Sequence, residues 1–324
     1  MAETYKQITL EERYQISAYL AAGFSRSAIA EQLGRSKSSI SREINRNKGL
    51  RGYRPKQAHE KAMERRQMAF KAVKMTPELI HLIETKIREE WSPEQVSGWL
   101  LDEHNLQLSH ERIYLHIWDE KAQGGDLYKH LRRQGKKYTK RCHSKNSRGQ
   151  IKNRISIDER PAIVDAKTRV GDWEIDTVIG KGHQGVLVTL VERKTLYTLV
   201  AQVESKQATV VIKAAIDLLM PFKERVHTIT ADNGKEFAFH EEIAKQLQTK
   251  VYFAHPYHSW ERGVNENTNG LLRQYFPKNT NLKNITQKQI DAVVYKLNNR
   301  PRKTLGYKTP EEMINRSLAR TSHQ

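Results

Sequence analysis

Apolar residues recur at helical spacing in the first fifty positions and again over 76–120, then switch near residue 168 to continuous runs and period-two alternation. The first fifty residues predict three short helices. Thr9 and Glu12 form a capping-box pattern, and Ile16, Tyr19 and Leu20 fall on one side of the helix that follows, which stops at Gly23. Ser25 caps a second helix with Ile29 and Leu33 inward. Gly34 turns the chain, and Ser36 caps a third helix carrying Ile40 and Ile44. Helix, glycine turn, helix is a helix-turn-helix layout. The third helix leaves Arg35, Lys37, Ser38, Ser39, Ser41, Arg42 and Arg46 outside. Small hydroxyls beside arginines suit a helix lying in a DNA major groove, whereas a solvated basic face is the plainer alternative.

Residues 51–75 are basic, polar and weakly periodic, which fits a linker or an exposed helix. A second helical unit is expected over 76–120. Thr76-Pro77 opens it, Leu79, Ile80, Ile83 and Ile87 follow at helical spacing, and Ser92-Pro93 repeats the start signal before Val96, Trp99 and Leu100. Ser109 caps a further helix with Ile113 and Ile117. This unit resembles another helix-turn-helix, and it serves DNA contact, packing or dimerisation. Trp91, Trp99 and Trp118 are expected in its core. From Lys129 to Arg154 there are eleven Lys or Arg and no Asp or Glu. That composition repels itself and predicts an extended basic arm or linker over 121–165.

Beyond 166 the apolar runs 173–179, 186–191 and 197–203 are separated by short turns, as in an antiparallel meander. A helix over 208–219, a strand over 226–230, a helix over 241–247, a strand over 251–254 and a helix over 260–275 come next. Strand–helix alternation adds parallel crossovers to the meander. The order β-β-β-α-β-α-β-α is that of a ribonuclease-H-like, integrase-type mixed sheet, expected over 166–315. The fold class is therefore multidomain, α followed by α/β.

Charge sharpens the picture. The 324 residues carry a net charge of +19, with 37% hydrophobic residues. A core is possible in part of the chain, and a polyanionic partner, nucleic acid first, is implied. One cysteine, Cys142, excludes an internal disulfide and any zinc site that needs two cysteines. No apolar leader and no membrane-length apolar stretch are visible, so an intracellular protein without membrane contact is expected.

Three acids fall where such a sheet would gather them. Asp176 is central in the first strand, Asp232 ends the fourth, and Glu266 lies on the last helix. Ligands collect at the carboxyl ends of parallel strands. Clustered carboxylates repel one another, and two Mg²⁺ or Mn²⁺ ions would reverse that balance and serve an in-line displacement at phosphorus. The oxygen donors suit hard cations, and no His/Cys cluster argues for zinc. Asp172, Glu174, Glu236 and Glu261 compete for the same roles. Arg273 lies seven residues after Glu266, within about 20° of the same helix face, where it would grip a phosphate. Asn265, Asn267 and Asn269 suit DNA contact or helix capping. His255, Tyr257 and His258 suit proton transfer or loop packing. Trp173 and Trp260 read as packing residues.

Taken together, GDWEIDTV (171–178), TADNG (230–234), WERGVNENTNGLLRQYFPK (260–278) and LNNRPRKTLGYKTP (297–310) resemble the DDE transposases of the insertion-sequence-thirty family of bacterial mobile elements. The resemblance runs over nearly the whole chain, and the third segment is its most specific part. It implies that Asp176, Asp232 and Glu266 are the metal-holding DDE triad. It implies Mg²⁺-dependent cleavage at transposon ends followed by attack of the freed 3′-hydroxyl on target DNA. It further implies that the N-terminal helices bind terminal inverted repeats, that the protein assembles as a homo-oligomer, and that no small-molecule cofactor takes part. Ser259 stands where the family pattern often has proline, a departure confined to the local turn. Two rival readings are a DNA-binding regulator with a catalytically silent integrase-like domain and a plain nuclease. Loss of a triad acid would favour the first and absence of an end-reading domain the second; the chain has the three acids and at least one candidate reader.

Overall fold

The computed structural model describes residues 7–68, 75–132, 151–256 and 258–321. Cys142, Tyr257 and most of the basic arm lie outside them. The chain divides into two compact units, Met1–Lys74 and Met75–Gln324.

In the first unit, α1 (Leu10–Ala21), α2 (Arg26–Gln32) and α3 (Lys37–Asn47) start at side-chain caps from Thr9, Ser25 and Ser36. Thr9 and Glu12 complete the capping box in both directions. Ile16, Ile29, Ala30, Ile40 and Ile44 close on one another as the core. Each fully buried isoleucine contributes about 1.5–3 kcal/mol of burial. Gly34 turns between α2 and α3 at φ +59°, where a side chain would be strained. The 51–75 segment is more than a linker. Its residues form α4 (Pro55–Met68), which packs on α1 and α3. Ala58 is its buried apolar contact, while Lys61 donates to the Lys48 carbonyl and Arg65 to Asn47. Docking through polar side chains leaves no apolar stripe for the sequence to show.

The second unit opens with α5 (Pro77–Arg88), α6 (Pro93–His104) and α7 (His110–Ala122). Caps at Thr76, Ser92 and Ser109 start them. Ile83, Ile87, Val96, Leu100, Ile113, Ile117 and Leu127 form their core, with Trp91 buried and Trp99 against it. Trp118 is not a core residue: it is 41% exposed, with Lys121 over its ring, because Ile113 and Ile117 take the inward face of α7.

The mixed sheet begins earlier than position 166. β1 (Ile155–Ser156) lies inside the segment expected as an arm and pairs in parallel with a later strand, and α8 (Ala162–Ala166) follows it. Two residues of strand are too short for a periodic signal. Next come β2 (Asp172–Ile179), β3 (Val186–Glu192), β4 (Thr198–Val203), α9 (Ala208–Leu219), β5 (Thr228–Ala231), α10 (His240–Leu247), β6 (Lys250–Phe253), α11 (Gly263–Tyr275), α12 (Gln287–Asn298) and α13 (Pro310–Thr321). The sheet order is β1-β6-β5-β2-β3-β4, with β2–β3–β4 antiparallel and β2–β5–β6–β1 parallel. Gly171 lets the chain enter β2 at φ +110°, where a Cβ would strike the Arg225 carbonyl.

Alternation along the strands sorts the two faces. Trp173, Ile175, Val188 and Leu190 pack with α9 and α10. Val178, Leu187 and Val200 pack with Leu271 and Leu272 of α11 and Ile290 and Leu297 of α12. Burial on both sides explains the nearly continuous apolar runs. Asp172, Glu174 and Asp176 share the parity of Val178, so all three face the α11 side.

Candidate acidic cleft and nucleic-acid interface

Asp176 lies midway along β2, opposite Thr189 of β3. Its Oδ1 accepts the Thr177 N–H at 2.8 Å, and its Oδ2 accepts Nδ2 of Asn269 on α11 at 3.0 Å. Asp232 follows β5 directly, and its Oδ1 accepts the Gly234 N–H at 2.8 Å, which sets the turn leaving the sheet. Arg262 joins the two aspartates: Nη1 is 3.4 Å from Asp176 Oδ2 and Nη2 is 3.4 Å from Asp232 Oδ2. Glu266 lies in the first turn of α11, exposed, and lines a cleft of about 650 Å³ with Asp176, Arg262, Asn269 and Arg273.

The three carboxylates do not all approach within 4.8 Å of one another; among the described residues, the group of three ligand atoms that does is His255, His258 and Glu261. A guanidinium fills the position between the aspartates that calls for positive charge. Burial pushes the Asp176 carboxyl upward. Arg262 opposes the rise, and the charges of Asp232 and Glu236 add to it. An all-oxygen donor set with a desolvated, like-charge-crowded aspartate fits hard divalent cations.

The competing acids have other partners. Asp172 pairs with Arg169 and accepts from Thr228. Glu174 is buried against Arg193 at 2.9 Å and accepts the Asn265 N–H at 2.8 Å. Glu236 accepts from Thr177 and pairs with Lys206. Glu261 pairs with His255.

Several expected contacts turn inward. Asn265 is fully buried, with its Oδ1 accepting from Thr189, so it holds α11 to β3 rather than facing DNA. Asn269 orients Asp176, and Asn267 Oδ1 accepts from Arg132 at 3.4 Å. Arg273 lines the cleft, but its terminal nitrogens donate to the carbonyls of Ile179 and Phe276. Trp260 is 68% exposed and meets the His258 ring at 4.4 Å, so it is not a packing residue. Trp173, by contrast, is buried.

In the first unit, Arg35 is withdrawn from the exposed row of α3. It pairs with Glu12 at 2.9 Å and donates to the Gln7 carbonyl, because its place before the Ser36 cap aims it at α1. Lys37, Ser38, Arg42 and Arg46 are exposed; Ser39 and Ser41 are half-buried. Arg42 is folded back onto Ser38 by hydrogen bonds to its carbonyl and hydroxyl.

Sequence reasoning passed over Arg262, Arg132 and Lys278 at the cleft. Arg262 stands four residues before Glu266, a helical spacing that was available as a signal. Arg132 was hidden among the arm's many cations.

A helix-turn-helix domain model matches residues 4–47. The chain is 48% identical over 319 residues to the transposase for insertion sequence element IS4351 of Bacteroides fragilis, spanning 98% of each chain. It is 40% identical to the transposase InsI for insertion sequence element IS30A of Escherichia coli strain K12, over 97% of this chain and 85% of that one. The catalytic core domain of BIV integrase superposes with a TM-score of 0.37 at 21% identity, covering 48% of this chain and 99% of that one. Among the described residues, no helix is long and apolar enough to cross a membrane.

Proposed function

From the premise that the chain belongs to the family of insertion-sequence transposases that includes those of IS30 and IS4351, we propose that it cuts and rejoins DNA with Asp176, Asp232 and Glu266 as its metal-holding acids. The observation that carries this reading is the shared cleft. Asp176 from the sheet and Glu266 from α11 line one space, and Arg262 ties Asp232 to Asp176.

The division of labour follows the two units. The first unit reads terminal inverted repeats, with Lys37, Ser38, Ser39, Ser41, Arg42 and Arg46 presented along α3. The second unit performs phosphoryl transfer. In cleavage, a water oxygen bonds to phosphorus at the transposon end and the strand's 3′-oxygen departs. In joining, that 3′-hydroxyl attacks a target phosphodiester, one P–O bond forming as another breaks. Two Mg²⁺ or Mn²⁺ ions, when bound by the three acids, supply the charge that activates the attacking oxygen and stabilises the leaving one. The remaining residues position the acids. Asn269 fixes the Asp176 carboxylate, Glu174 and Asn265 hold α11 to the sheet, and Arg273 fastens α11 to the end of β2. Arg132 and Lys278 bring positive charge to the cleft, where a DNA backbone would lie. A homo-oligomer accommodates the two transposon ends.

Incubation of labelled element ends with Mg²⁺ and either the unaltered chain or Asp232→Asn tests the reading. The expected result is that the variant cuts no ends yet binds terminal repeats as before. Full cleavage by Asp232→Asn overturns the assignment.

A further inference from the structure

The loop between β6 and α11 holds a second cluster of ligand-type side chains, separate from the three acids. His255 Nδ1 lies 2.8 Å from Glu261 Oε1, and His258 Nδ1 lies 3.7 Å from the same oxygen. One ligand atom from each residue falls within 4.8 Å of the others. On its far side, the His255 ring offers Nε2 to Asp158 Oδ2 at 3.0 Å. Asp158 comes from the short turn just after β1, so residues nearly a hundred positions apart meet here.

An ion triad of Asp158, His255 and Glu261 accounts for part of this arrangement. It leaves His258 unexplained. The Nδ1 atom of His258 is buried and makes no hydrogen bond, although it sits beside a carboxylate. A buried polar atom without a partner is destabilising. A cation between His258, His255 and Glu261 would remove that cost. The Asp158 contact fits the same reading, because a metal-bound histidine commonly donates its other ring N–H to a carboxylate.

We infer that His255, His258 and Glu261 form a site for a borderline transition-metal ion of the Zn²⁺ class, with Asp158 orienting His255. Two imidazoles and one carboxylate are the donors that Zn²⁺ and Co²⁺ take and that Mg²⁺ takes poorly. The site is structural. Glu261 directly precedes Arg262, and α11 begins one residue later with Glu266 in its first turn. Fixing Glu261 to the β6 loop and to the turn after β1 therefore fixes the approach of Arg262 and Glu266 to the aspartates.

Co²⁺ titration into the chelator-stripped full chain, in excess Mg²⁺, tests the site through visible absorption and equilibrium dialysis. The expected result is one Co²⁺ per chain, displaced by Zn²⁺ and retained in Asp232→Asn. His258→Ala should lose it, and Asp158→Asn should weaken it about 10–100-fold. Binding by His258→Ala at unchanged affinity overturns the site, as does binding lost in Asp232→Asn but kept in His258→Ala. Should His258→Ala not fold, the unaltered chain still decides. A stripped chain that gains no thermal stability from Zn²⁺ in excess Mg²⁺ has no such site.

Discussion

The carboxylate of Glu174 accepts the backbone N–H of Asn265 at 2.8 Å. With the Asn269–Asp176 and Arg273–Ile179 contacts, this bond joins β2, which carries Asp176, to α11, which carries Glu266. The acceptor is buried, and burial pushes its carboxyl upward, with Arg193 opposing the shift. Removing one partner of a buried ion pair costs about 3–5 kcal/mol, whereas replacing both with apolar groups is often nearly neutral. Glu174→Gln is therefore expected to lower stability by about that amount. Glu174→Leu combined with Arg193→Met should melt closer to the unaltered chain. Thermal denaturation checks both, and a Glu174→Gln chain that melts like the parent contradicts the weight given to the Glu174–Arg193 ion pair.

Arg35 and Arg42 stand seven residues apart and are expected to fail differently. Arg42→Ala should weaken binding to terminal repeats more than to random DNA, measured by titration at fixed salt. Equal losses would make Arg42 a phosphate contact. Arg35→Ala should chiefly destabilise the first unit, by roughly 0.5–1 kcal/mol for a half-exposed pair.

Its pH dependence follows from Glu12. Partial burial raises that carboxyl, and hydrogen bonds from Arg35 and the Thr9 N–H more than offset the rise, so it ends below its ordinary value. A depressed carboxyl contributes stability above its unfolded value and loses it as pH falls through the folded one. The melting difference between the unaltered chain and Arg35→Ala should therefore be full at neutral pH. It should close as pH drops below about 4. A difference that persists in acid contradicts the pairing.

Arg262 occupies the position between two aspartates that a cation would share. Arg262→Gln removes a competing positive charge. The Mg²⁺-induced rise in melting temperature should be larger in this variant than in the unaltered chain, and absent when Asp232→Asn is added. A smaller rise in Arg262→Gln would mean that the guanidinium supports cation binding instead of opposing it.

Gly98 of α6 lies under the ring of Tyr307. Tyr307 adopts φ +65° there, an uncommon conformation for an aromatic residue. In a free helix, Gly98→Ala would gain up to about 1 kcal/mol. Here the new methyl would collide with the ring, and overpacking costs about 1–3 kcal/mol. Net destabilisation is expected by calorimetry, with relief in Gly98→Ala/Tyr307→Ala. The same surface carries Gln95 donating to the Pro301 carbonyl and Lys308 paired with Asp102. One face of the second helical unit is thereby committed to packing.

The local elements were legible from the residue pattern alone. Caps at Thr9, Ser25, Ser36, Thr76, Ser92 and Ser109 start helices where side-chain oxygens meet unpaired N–H groups. The runs of β2, β3 and β4 were legible because strands buried on both faces are apolar at nearly every position. Which polar groups meet was settled by the packing of distant segments. Glu174, Asp176 and Asp172 share one parity, and nothing in that alternation separates a structural acid from one that lines the cleft. Arg193, Arg169 and Arg262 make that separation across 19, 3 and 86 residues. For the same reason, α4 and β1 escaped the pattern, and Asp158 met His255. Periodicity records burial against the core, whereas a hydrogen bond or ion pair needs only two atoms brought together, which distance along the chain does not reveal.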